Sequence, residues 1–153
     1  MWQRTYRADP AIARIAARHY TAHHNRSARQ GKTKFDLPGK VIHLYVPGPL
    51  WPFEVAAAWV WWRPPSDVRM DGYNGWWLNA LFRNETSYLS SDLIREAVQW
   101  AEDDWGPAPL GFDTYVWPDR LRSTNPGYCY LMAGWSKGAC SKDGKKRRLY
   151  QFA

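Results

Sequence analysis

The sequence predicts an α+β fold, an α/β-layered arrangement in which helices pack on both faces of a mixed central sheet. The first observation behind this prediction is the order of the patterns: a helix, three strands, a helix, a strand, a short helix and a closing hairpin. The second is the length, since 153 residues can bury a substantial core. The sequence contains neither an apolar run of membrane-spanning length nor a signal peptide at its start. We therefore expect a single domain over residues 1–153, located in the cytoplasm.

The first helix is predicted to begin at Asp9-Pro10, because an acidic N-cap followed by proline is typical of a helix start. Its apolar face is formed by Ala11, Ile12, Ile15 and Ala16. The helix is expected to fade between residues 22 and 25. Residues 25–40 are polar, basic and poor in apolar side chains, which predicts a mobile loop that can become ordered on a ligand.

Runs of β-branched and aromatic residues that end at proline or glycine predict four strands. They are Val41–Val46, Glu54–Arg63, Trp76–Phe82 and Phe112–Trp117. A short helix is predicted over residues 125–134, with Asn125 as N-cap, Pro126 at N1 and Gly134 at C′. The last predicted element is a hairpin, Trp135–Cys140 with Lys146–Phe152, turned at Lys142-Asp143-Gly144.

A polar stretch followed by an amphipathic helix comes directly after the third strand. The apolar stripe of this helix is Leu93, Ile94, Ala97, Val98 and Ala101. Ser90, Ser91 and Asp92 stand at its start, where a side-chain oxygen can cap free backbone N–H groups. Free amides and the helix dipole also make such a place suitable for an anion. The pattern alone leaves two interpretations open, an anion site and an ordinary capped helix.

The net charge of +7 is concentrated at both ends of the chain. Residues 1–40 carry nine Lys or Arg and two acids, and residues 137–148 carry six Lys or Arg and one acid. If the two ends lie together, they form a face that binds a polyanion; the alternative is that the charge serves solubility. The candidate nucleic-acid contacts are Arg26, Arg29, Lys32, Lys34, Arg120, Arg122, Lys145, Lys146 and Arg147.

The 11 tryptophans are more than a small core readily accommodates, and exposed rings suit stacking on bases. The candidates for such stacking are Trp51, Trp61, Trp62, Trp76 and Trp77. The two cysteines, Cys129 and Cys140, are interpreted as reduced thiols, with a single disulfide as the alternative. His19 and His23 have the spacing of two helical metal ligands but lack a third ligand, so no metal site is predicted.

Residues 40–152 resemble the GCN5-related N-acetyltransferase (GNAT) fold. The resemblance is carried by the strand, loop and helix of Trp76–Asp104, and by Asn125-Pro126-Gly127-Tyr128 leading to Ala133-Gly134-Trp135. It implies a mixed central sheet, an acyl donor at the loop before the helix, and a tyrosine at position 128 that protonates the leaving thiolate. The resemblance implies acetyl-CoA as donor. However, Arg83 to Ser91 contains no glycine to wrap a diphosphate, so the donor is left open.

Within this fold the chain resembles the phage Mom-like proteins, which modify N6 of adenine in DNA. The matching features are Arg18-His19-Tyr20 after the first helix, Ser90-Ser91 at the loop helix, and the residues Asp119 and Tyr128 beyond the next strand. The resemblance implies catalytic roles for His19, Tyr20, Ser91, Asp119 and Tyr128. A histidine such as His19 suits acid/base work because its charge changes near neutral pH.

The candidate donor- or substrate-binding residues are Arg83, Asn84, Glu85, Ser90 and Asn125. Arg83 can bind a carboxylate or phosphate through two hydrogen bonds, and Glu85 can accept a proton or hold an amine. The alternative is a salt-bridged strand end. Three functions remain in competition: a Mom-like transferase acting on adenine N6 in DNA, a conventional GNAT acyltransferase using acetyl-CoA, and a non-catalytic nucleic-acid-binding module.

Overall fold

The computed structural model describes residues 1–18, 36–65, 69–118 and 127–153. The described elements, in chain order, are β1 Gln3–Thr5, α1 Pro10–Ala17, β2 Lys40–Pro47, β3 Val55–Arg63, β4 Trp76–Asn84, α2 Ser90–Trp105, β5 Gly111–Val116, α3 Tyr128–Met132, β6 Ser136–Cys140 and β7 Arg147–Phe152. No helix in these ranges is long and apolar enough to cross a membrane.

The seven strands form one mixed sheet in the order β1-β2-β3-β4-β5-β7-β6. The pairs β1–β2, β2–β3 and β3–β4 are antiparallel, β4 and β5 are parallel, and β7 pairs antiparallel with both β5 and β6. A parallel pair needs a crossover connection, and α2 provides it. The predicted class, a mixed sheet with helices on both faces, is confirmed.

Helix α1 covers one face of the sheet and α2 covers the other. The apolar side of α1 packs with residues of β2, β3 and β4 that include Tyr45, Val60 and Leu81. The predicted apolar stripe of α2 is fully or almost fully buried against the opposite face, where Trp59 and Trp61 lie. The indole N–H of Trp61 donates to the carbonyl of Ala97 at 2.7 Å, so this large ring is both packed and hydrogen-bonded.

The predicted helix starts and ends are partly confirmed. Asp9 is the N-cap of α1, and its side chain accepts from the backbone N–H of Ala11 at 2.9 Å. The helix ends at Ala17, earlier than expected from the sequence. Helix α3 begins only at Tyr128, after Gly127 in a left-handed conformation, and Gly134 follows its end as predicted. Asn125 and Pro126 lie outside the described residues.

Strand β1 was not predicted, because three residues are too short for an alternating pattern to stand out. Strand β4 extends to Asn84, two residues beyond the predicted end. The predicted hairpin is confirmed with slightly shorter strands, and its turn is closed by a hydrogen bond from the N–H of Ser141 to the carbonyl of Lys146 at 2.8 Å.

Candidate functional site

The parallel strands β4 and β5 stay together at one end and separate at the other. They pair over only three positions, from Trp76 with Gly111 to Leu78 with Asp113. Beyond these positions a cleft of about 340 Å³ opens between the strands. Its walls are the second halves of β4 and β5, the start of α2 and the start of α3, with lining residues that include Ala80, Phe82, Thr114, Val116 and Cys129. The cleft reaches inward between the two strands as far as Asn79 and Thr114.

A neutral hydrogen-bond network fills the inner end of this cleft. The carboxamide oxygen of Asn79 accepts from the hydroxyl of Tyr130 at 2.7 Å. The hydroxyl of Thr114 lies 3.0 Å from the carbonyl oxygen of Asn79 and 3.3 Å from its carboxamide oxygen. The carboxamide nitrogen donates to the carbonyls of Val60 and Leu81. We call Asn79, Thr114 and Tyr130 the neutral network.

An ionic cluster lies at the paired end of the same two strands. The carboxylate of Asp113 accepts from Arg69 at 2.7 Å and from Arg148 at 2.9 Å, and all three side chains are buried. Arg69 also binds Asp71 through two hydrogen bonds. The hydroxyl of Tyr115 donates to Asp71 at 2.9 Å, and burial together with this bond raises the pKa of Tyr115. We call Asp113, Arg69, Arg148 and Asp71 the ionic cluster.

The loop between β4 and α2 is held by the side chain of Asn84. Its amide nitrogen donates to the carbonyl of Tyr88 at 2.8 Å and to the hydroxyl of Ser90 at 3.0 Å. Its oxygen accepts from the backbone N–H of Thr86 at 2.9 Å and from the Thr86 hydroxyl. The N–H of Tyr88 is bound to the Thr86 hydroxyl, and that of Glu85 to the carbonyl of residue 56. Three loop amides are therefore occupied within the protein.

The first turn of α2 has no side-chain cap among the described residues. Its N-cap is Leu89, and the prediction that Ser90, Ser91 or Asp92 caps the helix is wrong. Asp92 instead binds Arg95 at 2.9 Å. Leu89 cannot accept a hydrogen bond through its side chain. The N–H of Asp92 bonds to the Leu89 carbonyl at 3.1 Å, which leaves the amides of Ser90 and Ser91 for a ligand or water. Ser90 lines the cleft at this point.

Glu85, just beyond the end of β4, is bound by two arginines. The Arg18 guanidinium contacts it through Nε at 3.1 Å and Nη2 at 2.9 Å, and Nε of Arg83 contacts it at 2.7 Å. The hydrogen bond from Arg18, and then that from Arg83, holds the pKa of Glu85 below its usual value. This is the salt-bridged strand end considered from the sequence, and an ionised carboxylate engaged in this way is a weak base.

Of the two tyrosines on α3, Tyr130 lines the cleft, whereas the residue predicted from the sequence is Tyr128. Tyr130 is 6% exposed and Tyr128 is 53% exposed and outside the lining. Residues two apart on a helix point in nearly opposite directions, so only one of the pair can face the cleft. Ala133 and Trp135, two apolar residues that closely follow Tyr130, are buried as well, and this apolar pattern indicates the inward side of α3.

Several predicted residues lie outside the described ranges: His19, Tyr20, Arg26, Arg29, Lys32, Lys34, Asp119, Arg120, Arg122 and Asn125. The same holds for His23. Of the predicted site residues that are described, Arg83, Asn84 and Ser90 line the cleft, Glu85 adjoins Arg83, and Ser91 is next to Ser90 on the first turn of α2.

The predicted exposed tryptophans are mostly core residues. Trp61, Trp76 and Trp77 are buried, and Trp62 is partly buried with its indole bound to the carbonyl of Pro38. Trp51 is exposed and stacks on Tyr45 with ring centroids 4.5 Å apart. The large number of tryptophans therefore reflects packing more than an exposed stacking surface.

The described parts of the two basic ends lie at opposite edges of the sheet. Since Arg26, Arg29, Lys32 and Lys34 lie outside the described residues, one shared basic face stays a prediction. Strand β1 is one edge and β6 is the other. Arg4 is paired with Asp104 and Arg7 with Asp36, which offsets their charge. The hairpin of β6 and β7 remains basic, with Lys137, Lys142, Lys145, Lys146 and Arg147 beside a single acid, Asp143.

Both cysteines are free thiols, as predicted from the sequence. Cys129 is partly buried in the cleft wall, and burial raises the pKa of its thiol. Cys140 is exposed on β6. Within the described residues, no three His, Cys, Asp or Glu side chains lie close enough together to hold a metal ion.

Comparison with known proteins identifies the fold. No family model matches the chain, and no curated protein matches it. Among solved structures, an aminoglycoside 6′-acetyltransferase type Ii matches with a TM-score of 0.59 and 10% identity, covering 99% of this chain and 96% of that one. An acyl-CoA N-acyltransferase from Pseudomonas aeruginosa matches with a TM-score of 0.57 and 15% identity, covering 98% and 97%. The chain therefore has the fold of the GNAT acyltransferases.

Proposed function

We propose that this protein is an N-acyltransferase whose acyl donor lies in the cleft between β4 and β5. The observation that carries the proposal is the separation of these strands beyond Leu78 and Asp113, which opens a cleft of about 340 Å³ inside the sheet. Two solved structures that share the fold over nearly the whole chain are an acetyltransferase and an acyl-CoA N-acyltransferase.

The two ends of the cleft suit the two ends of an acyl donor. The outer end has Arg83 and the uncapped first turn of α2 at Ser90, which favour a negatively charged group. The inner end is lined by neutral groups, including Ala80 and Thr114, which favour an uncharged acyl group. An anionic donor is therefore expected to enter with its acyl group first.

In the proposed reaction a neutral amine attacks the carbonyl carbon of the donor. The carbon–nitrogen bond forms, the bond to the leaving group breaks, a base takes the amine proton, and the leaving group is protonated. Glu85 is engaged by two arginines and Asp113 by two others, so neither carboxylate suits the role of base. We propose His19 instead, because it follows Arg18 directly, and the Arg18 side chain reaches Glu85 beside the cleft.

The donor tested first is acetyl-CoA. The loop that would meet its diphosphate has three amides engaged within the protein, which leaves the start of α2 and Arg83 as the described groups for its charge. We expect measurable binding of acetyl-CoA, weaker than that of a glycine-rich loop whose amides all face the phosphates.

Calorimetric titration with acetyl-CoA, followed by assays with small amines, tests the proposal. Ser90→Glu places a negative charge where the donor's charge is expected, while an acidic residue in the first turn favours the helix itself. Ser136→Glu introduces the same charge at an exposed position on β6, near the other end of the sheet, and serves as the matched control. Loss of binding in Ser90→Glu alone supports the proposal. Absence of binding and of acyl transfer in the wild-type protein contradicts acetyl-CoA as the donor.

We propose adenine N6 in DNA as a second candidate acceptor amine. The observation that favours it is the position of the basic hairpin. Arg147 pairs with Val116, the last residue of β5, so the turn with Lys145 and Lys146 lies at the same end of the sheet as the cleft. Lysines beside the cleft would bind DNA phosphates, with strong dependence on salt.

Mass spectrometry of nucleosides tests this acceptor. The protein is produced in a plain bacterial host, and the cellular DNA is digested to nucleosides. A new deoxyadenosine derivative that is lost in Ser90→Glu but retained in Ser136→Glu supports DNA modification, and its mass identifies the transferred group. Unmodified DNA together with acyl transfer to small amines supports the conventional acyltransferase. Salt-sensitive DNA binding without any product supports the non-catalytic alternative.

A further inference from the structure

Asn79 connects three walls of the cleft. It lies on β4 directly after the last residue paired with β5, and it is 4% exposed. Its carboxamide nitrogen donates to Val60 on β3 at 3.3 Å and to Leu81 on β4 at 2.7 Å. Its carboxamide oxygen accepts from Tyr130 on α3. The hydroxyl of Thr114 on β5 binds its backbone carbonyl at 3.0 Å.

The surroundings fix which way the carboxamide points. The two carbonyl oxygens, of Val60 and Leu81, can only accept hydrogen bonds, so the nitrogen must face them. The oxygen then faces the hydroxyl of Tyr130, which must donate the hydrogen bond to Asn79. Both hydrogens of the amide and its oxygen are thus used, and no rotated arrangement satisfies the same partners.

This carboxamide also stabilises a local break in the strand pairing. Val60 pairs with Leu81, and Trp61 pairs with Asn79, so residue Ala80 is left without a partner on β3. Such an extra residue bends a strand and changes the direction of its side chains and amides. The bond from Asn79 to the Leu81 carbonyl closes across Ala80, at the point where β4 turns away from β5.

The geometry points to Asn79 as a positioning residue that holds the inner end of the cleft, both β4 around Ala80 and α3 at Tyr130, in the shape that receives the acyl group of the donor. The inference rests on the proposed acyltransferase function. Asn79 acts through the backbone of β4 and through Tyr130, so it is distinct from a group that itself reacts. Its effect is expected on the acyl end of the donor and not on the charged end at Ser90.

Variants at two positions separate the hydrogen bonds that Asn79 donates from the hydrogen bond that it accepts from Thr114. Asn79→Asp keeps the oxygen that accepts from Tyr130 but removes both donors to Val60 and Leu81. Thr114→Val has nearly the same shape as threonine and removes only the hydroxyl bonded to Asn79. Thr114→Ser retains that hydroxyl and is the conservative rescue. If Asn79→Asp fails to fold, the pair of Thr114 variants still tests the inference.

The affinities for acetyl-CoA and for CoA, compared by calorimetry, test the inference. The two ligands differ only at the acyl end, so a change in the general stability of the protein affects the binding of both alike. We expect Asn79→Asp to weaken acetyl-CoA binding about tenfold, as expected for one or two lost hydrogen bonds, with CoA binding within about twofold of wild type. Thr114→Val is expected to show a smaller loss of the same kind, and Thr114→Ser none. Equal weakening of both ligands, or no weakening in either variant, overturns the inference.

Amide hydrogen exchange without any ligand distinguishes failure of this inference from failure of the proposed function. If Asn79 shapes the cleft, Asn79→Asp speeds exchange at residues 80–84 and leaves residues 76–78, which stay paired with β5, unchanged. A wild-type protein that binds neither acetyl-CoA nor CoA contradicts the proposed donor. In that case, local acceleration supports the structural role of Asn79, and its absence overturns it.

Discussion

The two ends of the β4–β5 pair are held by different kinds of interaction. At the paired end, Asp113 of the ionic cluster binds Arg69 and Arg148 within the protein interior. At the open end, the neutral network around Asn79 joins strands that no longer pair with each other. All three residues of the neutral network are buried, as are Asp113, Arg69 and Arg148 of the ionic cluster, whereas its fourth member, Asp71, is exposed. The two groups are separated along β4 and β5 by only a few residues.

The difference shows how one sheet can be closed at one end and open to a ligand at the other. The buried charges of Asp113, Arg69 and Arg148 are paired with one another, which suits the paired end. Neutral hydroxyls and an amide can satisfy each other while they line a cavity, and they leave it uncharged, as the proposed acyl group requires. Charge is found again at the mouth of the cleft, at Arg83 and the start of α2.

The largest effect is expected from breaking the ionic cluster. Asp113→Asn removes the carboxylate shared by Arg69 and Arg148 and leaves two buried cations with a weaker partner. Removing one partner of a buried pair destabilises proteins by about 3–5 kcal/mol. Urea unfolding measures this loss. Asp104→Asn, which breaks the exposed pair with Arg4, is the matched control, with an expected loss of at most about 1 kcal/mol. Similar losses in both variants contradict the role given to the cluster.

The next largest effect is expected at the open end. Tyr130→Phe removes the hydroxyl bound to Asn79, and we expect acyl transfer to fall about tenfold, a change typical of one lost hydrogen bond at a site. Tyr128→Phe changes an exposed side chain outside the cleft lining and is expected to leave transfer unchanged. Steady-state rates with the best amine acceptor provide the measurement. A larger loss in Tyr128→Phe reverses the assignment of the two tyrosines.

A buried histidine that belongs to neither group provides a pH test. His43 on β2 is 1% exposed, and neither ring nitrogen has a hydrogen-bond partner among the described residues. Burial lowers its pKa below the usual 6.5; Asp36 and Asp9 act to raise it and Arg7 acts to lower it further. The unfolded chain then binds a proton more readily than the folded one, so stability decreases as the pH falls below about 6.5, with a slope of at most about 1.4 kcal/mol per pH unit.

His43→Leu removes this titration while keeping a buried apolar side chain. The free energy of unfolding, measured by urea at several pH values from 7.5 downward, should lose part of its slope in this variant. An unchanged slope shows that His43 is not the group responsible. The comparison also shows what hydrogen-bond partners contribute to a buried polar group, because His43 lacks the partners that the ionic cluster and the neutral network possess.

The smallest effect is expected at the mouth of the cleft. Glu85→Gln releases Arg83 and Arg18 from their carboxylate and leaves more positive charge near the start of α2. We expect an anionic donor to bind a few-fold more tightly at low salt, with the gain disappearing at high salt because these side chains are partly exposed. Calorimetry at two salt concentrations measures it. Weaker donor binding in Glu85→Gln would show that the Glu85 carboxylate orders the two arginines and does not compete with the donor for them.

Most of the architecture could be predicted from local patterns. Proline and glycine mark the ends of β2 and β3, and Asp9-Pro10 marks the start of α1. The class and the order of elements followed from these signals. Strand β1 was missed because its three residues are stabilised by pairing with β2, which is a long-range contact.

The site was harder to predict because its key contacts join distant segments. Asn79 lies within an apolar strand pattern, and its partners Thr114 and Tyr130 are 35 and 51 residues away. Asp113 was not singled out for the same reason, since Arg69 and Arg148 are 44 and 35 residues away. Arg83, Asn84 and Ser90, which line the cleft, could be singled out from the sequence because a strand, a polar loop and a helix start follow one another directly; their role in binding stays a prediction.

The most direct test of the central claim, that the open end of the β4–β5 pair holds the donor, is the rate of thiol labelling with and without acetyl-CoA. Cys129 lines the cleft, and Cys140 lies exposed on β6, so each molecule contains its own control. The account predicts that acetyl-CoA slows labelling of Cys129 and leaves Cys140 unchanged, and that Ser90→Glu abolishes this protection. Acyl transfer to an amine with no protection of Cys129 would contradict the placement of the donor in this cleft.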